Sequence, residues 1–317
     1  MLKSKGFYKG VNFGGWLSQC DYSKDRLDNF ITENDIAIVS EWGADHVRIP
    51  FDYNIFQNAD GSFIEEGFER LRKAIVICRK YGMNTILDLH KTAGFSFDYY
   101  GENESGFFDS PEYQEKFYQL WEELAKRFGR DPDHIAFELL NEVTDKSFID
   151  SWNRIADTCV ERIRQYAPET LIFIGSYNNN AADAVYALNP PHDENIVYNM
   201  HCYDPLKFTH QGAYWTDAIN KEDRFTFEES GCNEEYFENL FASAINKAKE
   251  NNVPLYCGEY GVIDVVSPED TVKWLKCINS VFEKHGIGRA IWSYKEMDFG
   301  ISDSRLDNVR NDILQLL

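Results

Sequence analysis

Eight short apolar runs separated by segments of helical spacing constrain this chain more than any other feature. They fall at 9–13, 46–50, 84–90, 135–143, 171–175, 196–200, 255–258 and 288–292. A run such as Ile135-Ala-Phe-Glu-Leu-Leu does not alternate, and non-alternating strands are those covered on both faces, as in parallel sheets. Parallel neighbours need a crossover, which the intervening segments supply. Thr32-x-x-Asp35 is a capping box opening a helix through Glu41. Positions 68–81 carry Leu71, Ile75 and Cys78 on one face, with Gly82 as terminator. Ser110-Pro111 and Ser267-Pro268 are N-cap and first-turn proline for helices reaching Phe128 and His285. Further helices are predicted at 149–166 and 233–251, a short one at 181–187, and a last one toward Leu317. The third run ends at His90 and the second is stopped by Pro50. Eight strands alternating with about eight helices predict a closed (β/α)8 TIM barrel of the α/β class. An open doubly wound sheet would carry Gly-x-Gly-x-x-Gly after its first strand. Here that position reads Gly14-Gly15, followed by a Trp16 that looks exposed.

A barrel of 317 residues is commonly one domain, and no Pro-rich, Ser/Gly-rich or like-charge run marks a linker. We therefore expect one catalytic domain over 1–317. The 53 acidic residues outnumber the 32 basic ones, a net charge of −21, which repels phosphate backbones and anionic lipids. Nucleic-acid and membrane partners are not expected; a neutral substrate and a monomeric protein are. The N-terminus lacks an apolar signal core, so the protein is either cytoplasmic or secreted with its leader removed. Seven scattered cysteines without a Cys-x-x-Cys pair read as buried thiols, not as a disulfide framework.

Active sites of such barrels lie at the carboxyl ends of the strands. Those ends carry Arg48, His90, Asn141-Glu142, His201 with Tyr203, Glu259 and Trp292. Two carboxylates across a pocket are what glycosidic cleavage needs, one to protonate the leaving oxygen and one to attack or activate water. Arg48 near Glu259 would keep that group ionised, as suits a nucleophile, whereas neutral Asn141 cannot act so on Glu142. Tyr203 could hydrogen-bond a carboxylate, and Trp292 offers an apolar face to a sugar ring.

Several motifs, taken together and in order, resemble glycoside hydrolase family 5, the cellulase-type barrels of the retaining clan A. They stand here as Gly10-Val-Asn-Phe-Gly-Gly-Trp16, His46-Val-Arg-Ile-Pro50, Leu87-Asp-Leu-His90, Phe137-Glu-Leu-Leu-Asn-Glu142, His201-Cys-Tyr203, Gly258-Glu-Tyr-Gly261 and Ile291-Trp292. The resemblance implies Glu142 as acid/base, Glu259 as nucleophile and Asn141 as ligand of the hydroxyl beside the anomeric carbon. It implies Arg48 and Tyr203 as supports of the nucleophile, His90 and His201 in the adjoining subsite and beside the acid/base, and Trp292 as sugar platform. The family's Asn-Glu-Pro appears here as Asn141-Glu-Val143, which alters loop stiffness and not the pair. Cys257-Gly-Glu-Tyr-Gly and Phe208-Thr-His-Gln are similar to clostridial-type single-domain endoglucanases of this family.

Long loops follow strands 3 and 6, at 91–109 and 204–231, and long loops in compact domains are usually functional. The first carries Phe95, Phe97, Tyr99, Tyr100, Phe107 and Phe108; the second Phe208, Tyr214, Trp215, Phe225 and Phe227. Such rings either line a polysaccharide cleft or form small cores under the loops, and we expect both, with Trp16, Trp215 and Trp292 touching sugar. No metal is expected, because His90 and His201 lie on separate strands with no tight ligand cluster. Lys295 after the last strand could suggest a Schiff base, but the glutamate pair accounts for more residues. The reading is a retaining endo-β-1,4-glucanase whose β-linked poly- or oligosaccharide is cellulosic or mixed-linkage β-glucan, needing no cofactor, its carboxyl groups about 5–5.5 Å apart. β-Mannanase and β-1,3-glucanase remain open alternatives, as does a non-catalytic glycan-binding barrel, against which the intact pair argues.

Overall fold

The computed structural model describes residues 1–98 and 104–317. Its strands are β1 (Lys9–Asn12), β2 (His46–Asp52), β3 (Asn84–Thr92), β4 (Phe95–Ser96), β5 (Ile135–Glu138), β6 (Ile172–Ile174), β7 (Ile196–Cys202), β8 (Leu255–Tyr260) and β9 (Gly288–Ile291). Eight of them pair in parallel in the cyclic order β1-β2-β3-β5-β6-β7-β8-β9 and close on β1, which makes the predicted (β/α)8 barrel. The ninth, β4, folds back antiparallel on the end of β3, Thr92 opposite Phe95, inside the first long loop.

The helices lie where their caps place them. Thr32 and Asp35 close a capping box on Glu33–Glu41, and Ser110 and Ser267 accept from the N–H of the third residue, Tyr113 and Asp270, of Pro111–Phe128 and Pro268–His285. Glu65–Lys80, Ile149–Arg164 and Glu234–Asn251 complete the long crossovers. After β6 the crossover shrinks to a 3-10 helix, Ala182–Ala187.

Two expected boundaries are corrected. Pro50 does not stop β2, which continues to Asp52. The Asp52 N–H points to the Leu17 carbonyl on the β1 flank, so the nitrogen of Pro50, two residues earlier, faces the same flank. There β1 has already ended opposite Arg48, and no ladder bond is lost. The run at 135–143 is a strand only to Glu138. Leu139 and Leu140 stay buried, and the Asn141 N–H returns to the Leu89 carbonyl, so the chain leaves the ladder while still held against β3.

Alternation along the strands stacks the barrel interior in layers. The lowest is apolar, with Phe7, Ile86, Ala136, Phe173, Val197, Tyr256 and Ala290 in one cluster. Two residues further along come Arg48, Asp88, Glu138 and Asn199, together with Asn12, all buried. One step higher stand His90 and His201. The larger apolar core lies outside the strands, between them and the helices.

Candidate active site

Arg48 organises the middle layer and has no solvent exposure. All five of its N–H donors find acceptors. Nε and Nη2 make a fork on Glu138, 2.7 Å each; Nη1 donates to Asn12 (2.9 Å) and to Glu259 (2.8 Å); Nη2 also donates to Asn141 Oδ1 (2.9 Å). Asp88 adds an ion pair at 3.0 Å. Charges this deep are tolerated only when paired and fully hydrogen-bonded, and the guanidinium fork meets that condition.

Strict alternation would turn Glu259 away from the barrel axis, since its neighbours Tyr256 and Gly258 point inward. A register shift corrects this: Met200 pairs with Cys257, but His201 pairs with Glu259, leaving Gly258 as the extra residue of a bulge. A Cβ at Gly258 would lie 2.9 Å from Asn199 and 3.0 Å from His201, so any larger residue would have to displace these two side chains. Its N–H donates to Asn199 Oδ1, and its carbonyl accepts from Asn12, both at 2.9 Å. Glu259 is thereby aimed at Arg48, and its second oxygen accepts from the Tyr203 hydroxyl at 2.9 Å. Burial alone would push its carboxyl up. The positive fields of His201, Arg48 and His90, with the Tyr203 hydrogen bond, outweigh it and hold the group at about 2.

Glu142 is held differently. It lies four residues past β5 with a positive φ of 37°. One oxygen is 2.8 Å from His201 Nδ1, and the other accepts from Asn179 Nδ2 at 3.0 Å. His201 Nδ1 is also 3.7 Å from Glu259, so the imidazole stands between the two carboxylates. Ligand atoms of Glu142, His201 and Glu259 all lie within 4.8 Å of one another. This is the tight group that linear spacing did not reveal. Such a trio could hold a cation, although Arg48 and Tyr203 already engage both oxygens of Glu259.

His90 Nδ1 is 2.6 Å from Asp88, and its ring stacks parallel to Trp292 at 5.9 Å with Phe97 edge-on at 4.8 Å. Burial would lower it, but the Asp88 carboxylate prevails and raises it to about 9. Asn141, its carbonyl taken by Arg48, keeps its NH2 3.5 Å from His90 Nε2. Seven of the ten predicted site residues thus form one connected group through hydrogen bonds and ion pairs, and Trp292 joins it by stacking on His90.

The remaining tryptophans divide. Trp16 is buried, not exposed: its indole N–H donates to the Leu27 carbonyl and its ring packs edge-on to Phe13. The Lys24–Asn29 helix, which the apolar pattern did not reveal, supplies that cover. Trp215 is 46% exposed, edge-on to Tyr214, and leads through Phe299 to Tyr203. The first long loop is mainly a small core, since Phe95, Phe107 and Phe108 are buried and Phe108 stacks on Phe148 at 4.2 Å. Tyr99 and Tyr100 lie outside the described residues. Lys295 is no Schiff-base candidate here: its ammonium pairs with Asp35 at 3.0 Å and lies over the Phe30 ring. The seven cysteines are free thiols, six of them buried. Among the described residues no helix is long and apolar enough to cross a membrane.

Residues 8–298 match the family model described as Cellulase (glycosyl hydrolase family 5). The chain is 63% identical over 289 residues to Cellodextrinase A of Ruminococcus flavefaciens, covering 91% of this chain and 86% of that one. It is 36% identical over 339 residues to Endoglucanase C of Acetivibrio thermocellus, covering 98% of each. Among solved structures, Thermotoga maritima Cel5A in complex with mannotriose superposes with a TM-score of 0.82 at 25% identity, over 99% of this chain and 98% of that one.

Proposed function

The chain belongs to glycosyl hydrolase family 5, the cellulase family, and from that premise we propose that it is a retaining β-1,4-glucanase acting by double displacement. We read 1–317 as one catalytic domain. The observation that carries the mechanism is the closeness of the two carboxylates, whose nearest oxygens are within 4.8 Å across His201. That spacing suits retaining enzymes, whose carboxyl groups stand about 5–5.5 Å apart; inverting pairs stand at about 6.5–9.5 Å to admit a water.

In this reading Glu259 is the nucleophile. Arg48 and Tyr203 orient one oxygen each, and the positive groups around the carboxyl favour its anionic form. Glu142 in its protonated form gives its proton to the departing glycosidic oxygen while Glu259 attacks the anomeric carbon. Glu142, now a carboxylate, then takes a proton from water as that water displaces Glu259 from the sugar. Retention follows from two inversions. Asn141, its carbonyl fixed by Arg48, points its NH2 toward the hydroxyl beside the reacting carbon. Trp292, backed by His90, is a platform for the ring.

Cello-oligosaccharides and soluble β-glucan are the proposed substrates, in keeping with the activities named for the two relatives. The mannotriose bound by the Thermotoga enzyme makes mannan the second substrate to test. The experiment is hydrolysis of cellotetraose, barley β-glucan, mannan and laminarin, with the anomer of the first-formed sugar read by NMR. A β-anomer from the first two supports the reading. An α-anomer overturns the retaining mechanism, and turnover of mannan or laminarin alone overturns the substrate.

A further inference from the structure

Between β6 and the 3-10 helix, three consecutive residues have left-handed backbone: Asn178 at φ 51°, Asn179 at φ 56° and Asn180 at φ 56°. Residues other than glycine enter this region singly, and asparagine is among the few that tolerate it. A run of three is therefore strained, and strain persists where the surroundings impose it, often at functional sites.

The surroundings here are the acid/base side of the cleft. The Asn179 N–H donates to the Val143 carbonyl at 3.0 Å, next in chain to Glu142. Its side-chain amide donates to Glu142 Oε2, also at 3.0 Å, although the residue as a whole is exposed. Asn180 is fully buried, its amide 3.4 Å from His201 Nε2, on the far side of the imidazole whose Nδ1 meets Glu142 Oε1. Ala181 pairs with His201 as an isolated parallel bridge. Gly175 makes room for the turn, because a side chain there would lie 2.2 Å from Asn180. One strained turn thus reaches both oxygens of Glu142, one directly and one through His201.

We propose that this turn positions the acid/base, with Asn179 as a positioning residue; the inference rests on the assignment of Glu142 above. An amide N–H can donate both to a carboxylate oxygen, more strongly, and to the carbonyl oxygen of a carboxylic acid. Asn179 therefore holds Oε2 through both half-reactions, and the proton is carried on Oε1, beside His201 Nδ1 at 2.8 Å. In the first step that proton leaves Oε1 for the glycosidic oxygen, and in the second Oε1 receives one from water. A neutral amide does this without adding a charge to a site that already holds Arg48, His90, His201, Tyr203 and Glu259.

The test uses Asn179→Gly, which accepts the positive φ and removes only the amide. Asn179→Ala removes the amide and keeps the strain. We expect the glycine variant to melt at or above the wild-type Tm. Its kcat on cellotetraose should fall about 10- to 100-fold, the scale of a misplaced catalytic group. The pre-steady-state burst of dinitrophenol from an aryl cellobioside needs no proton and should keep its rate within about twofold, while the steady state after it slows with the base-assisted step. Glu142→Ala, measured beside it, should show the same split more strongly. A glycine variant that treats both substrates as wild type does overturns the inference, and so does a burst slowed as much as cellotetraose hydrolysis. If Glu142→Ala itself shows no split, the assignment of Glu142 falls, a result distinct from failure at Asn179.

Discussion

Glu259 and Glu142 face each other across a few ångströms and share His201, yet their other supports differ. Glu259 lies within a strand of the ladder, re-aimed by a bulge, and rests on a guanidinium, a phenol and nearby imidazoles. Glu142 has left its strand, sits on positive-φ backbone, and is held by the Asn179 amide of a strained turn and the His201 imidazole of β7. The contrast fits the proposed roles. A nucleophile stays anionic until it bonds to carbon, so fixed positive charge serves it throughout. A general acid/base gains and loses a proton every cycle, and Glu142 accordingly meets an amide and an imidazole where Glu259 meets a guanidinium.

The largest effects should come from exchanging the two sides. Glu259→Ala should cut kcat on every β-glucoside by on the order of 10⁶-fold, the scale seen when a covalent nucleophile is removed. Glu142→Ala should lose about 10²- to 10⁴-fold on glucan, the range of general acid catalysis, yet still release an activated aryl group rapidly. Added azide should then give a β-glycosyl azide from the Glu142 variant, and an α-product, if any, from the Glu259 variant. Chromatography and NMR of the products check this, and a β-azide from the Glu259 variant would mean the roles are exchanged.

Next in size is the loss of the charged support. Arg48→Ala strands Glu138, Asp88 and Glu259 in the barrel and should cost about 3–5 kcal/mol of stability, read by urea unfolding. The pH dependence sharpens the same point. Glu259 is depressed from 4.5 to about 2, so its contribution is complete above pH 4.5 and is lost as pH falls toward 2. His90 is raised from 6.5 to about 9, so its contribution is complete below pH 6.5 and is lost as pH rises through 9. From these two groups, the wild-type Tm should be flat between pH 4.5 and 6.5 and decline on both sides. Without Arg48 the acid-side decline should be smaller, because Glu259 moves back toward its ordinary value and the gap between its folded and unfolded states narrows.

The smallest expected effect is none. Both oxygens of Glu259 are already engaged by Arg48 and Tyr203, so exhaustive chelation should leave the rate on β-glucan unchanged. Activity abolished by chelation and restored by one divalent ion would assign the Glu142–His201–Glu259 trio to a metal instead.

The barrel itself was legible because its signal is local. Apolar runs of strand length, and caps such as Thr32 and Ser267, act over a few residues and survive in a linear reading. The strand-end polar groups were legible for the same reason: in a βα barrel the end of a strand is a place on the rim. Pro50 misled because its penalty depends on which flank lacks a partner, which one strand cannot state. Trp16 misled because its cover comes from residues around Leu27, beyond the Gly-Gly turn that seemed to expose it.

What the sequence determined by itself was the barrel, its rim and the residue types available there. The tertiary structure alone decided how they combine. Asn12, Asp88, Glu138 and Asn199 look like incidental polar residues in apolar runs until closure of the barrel stacks them around Arg48. Glu259 faces the axis only because the β7–β8 register slips at Gly258. Asn179 meets Glu142 from 37 residues away through a backbone conformation with no one-dimensional pattern. Periodicity reports which face a residue takes along its own segment. It carries no information about the partner that another segment brings to that face, and the chemistry of this site depends on those partners.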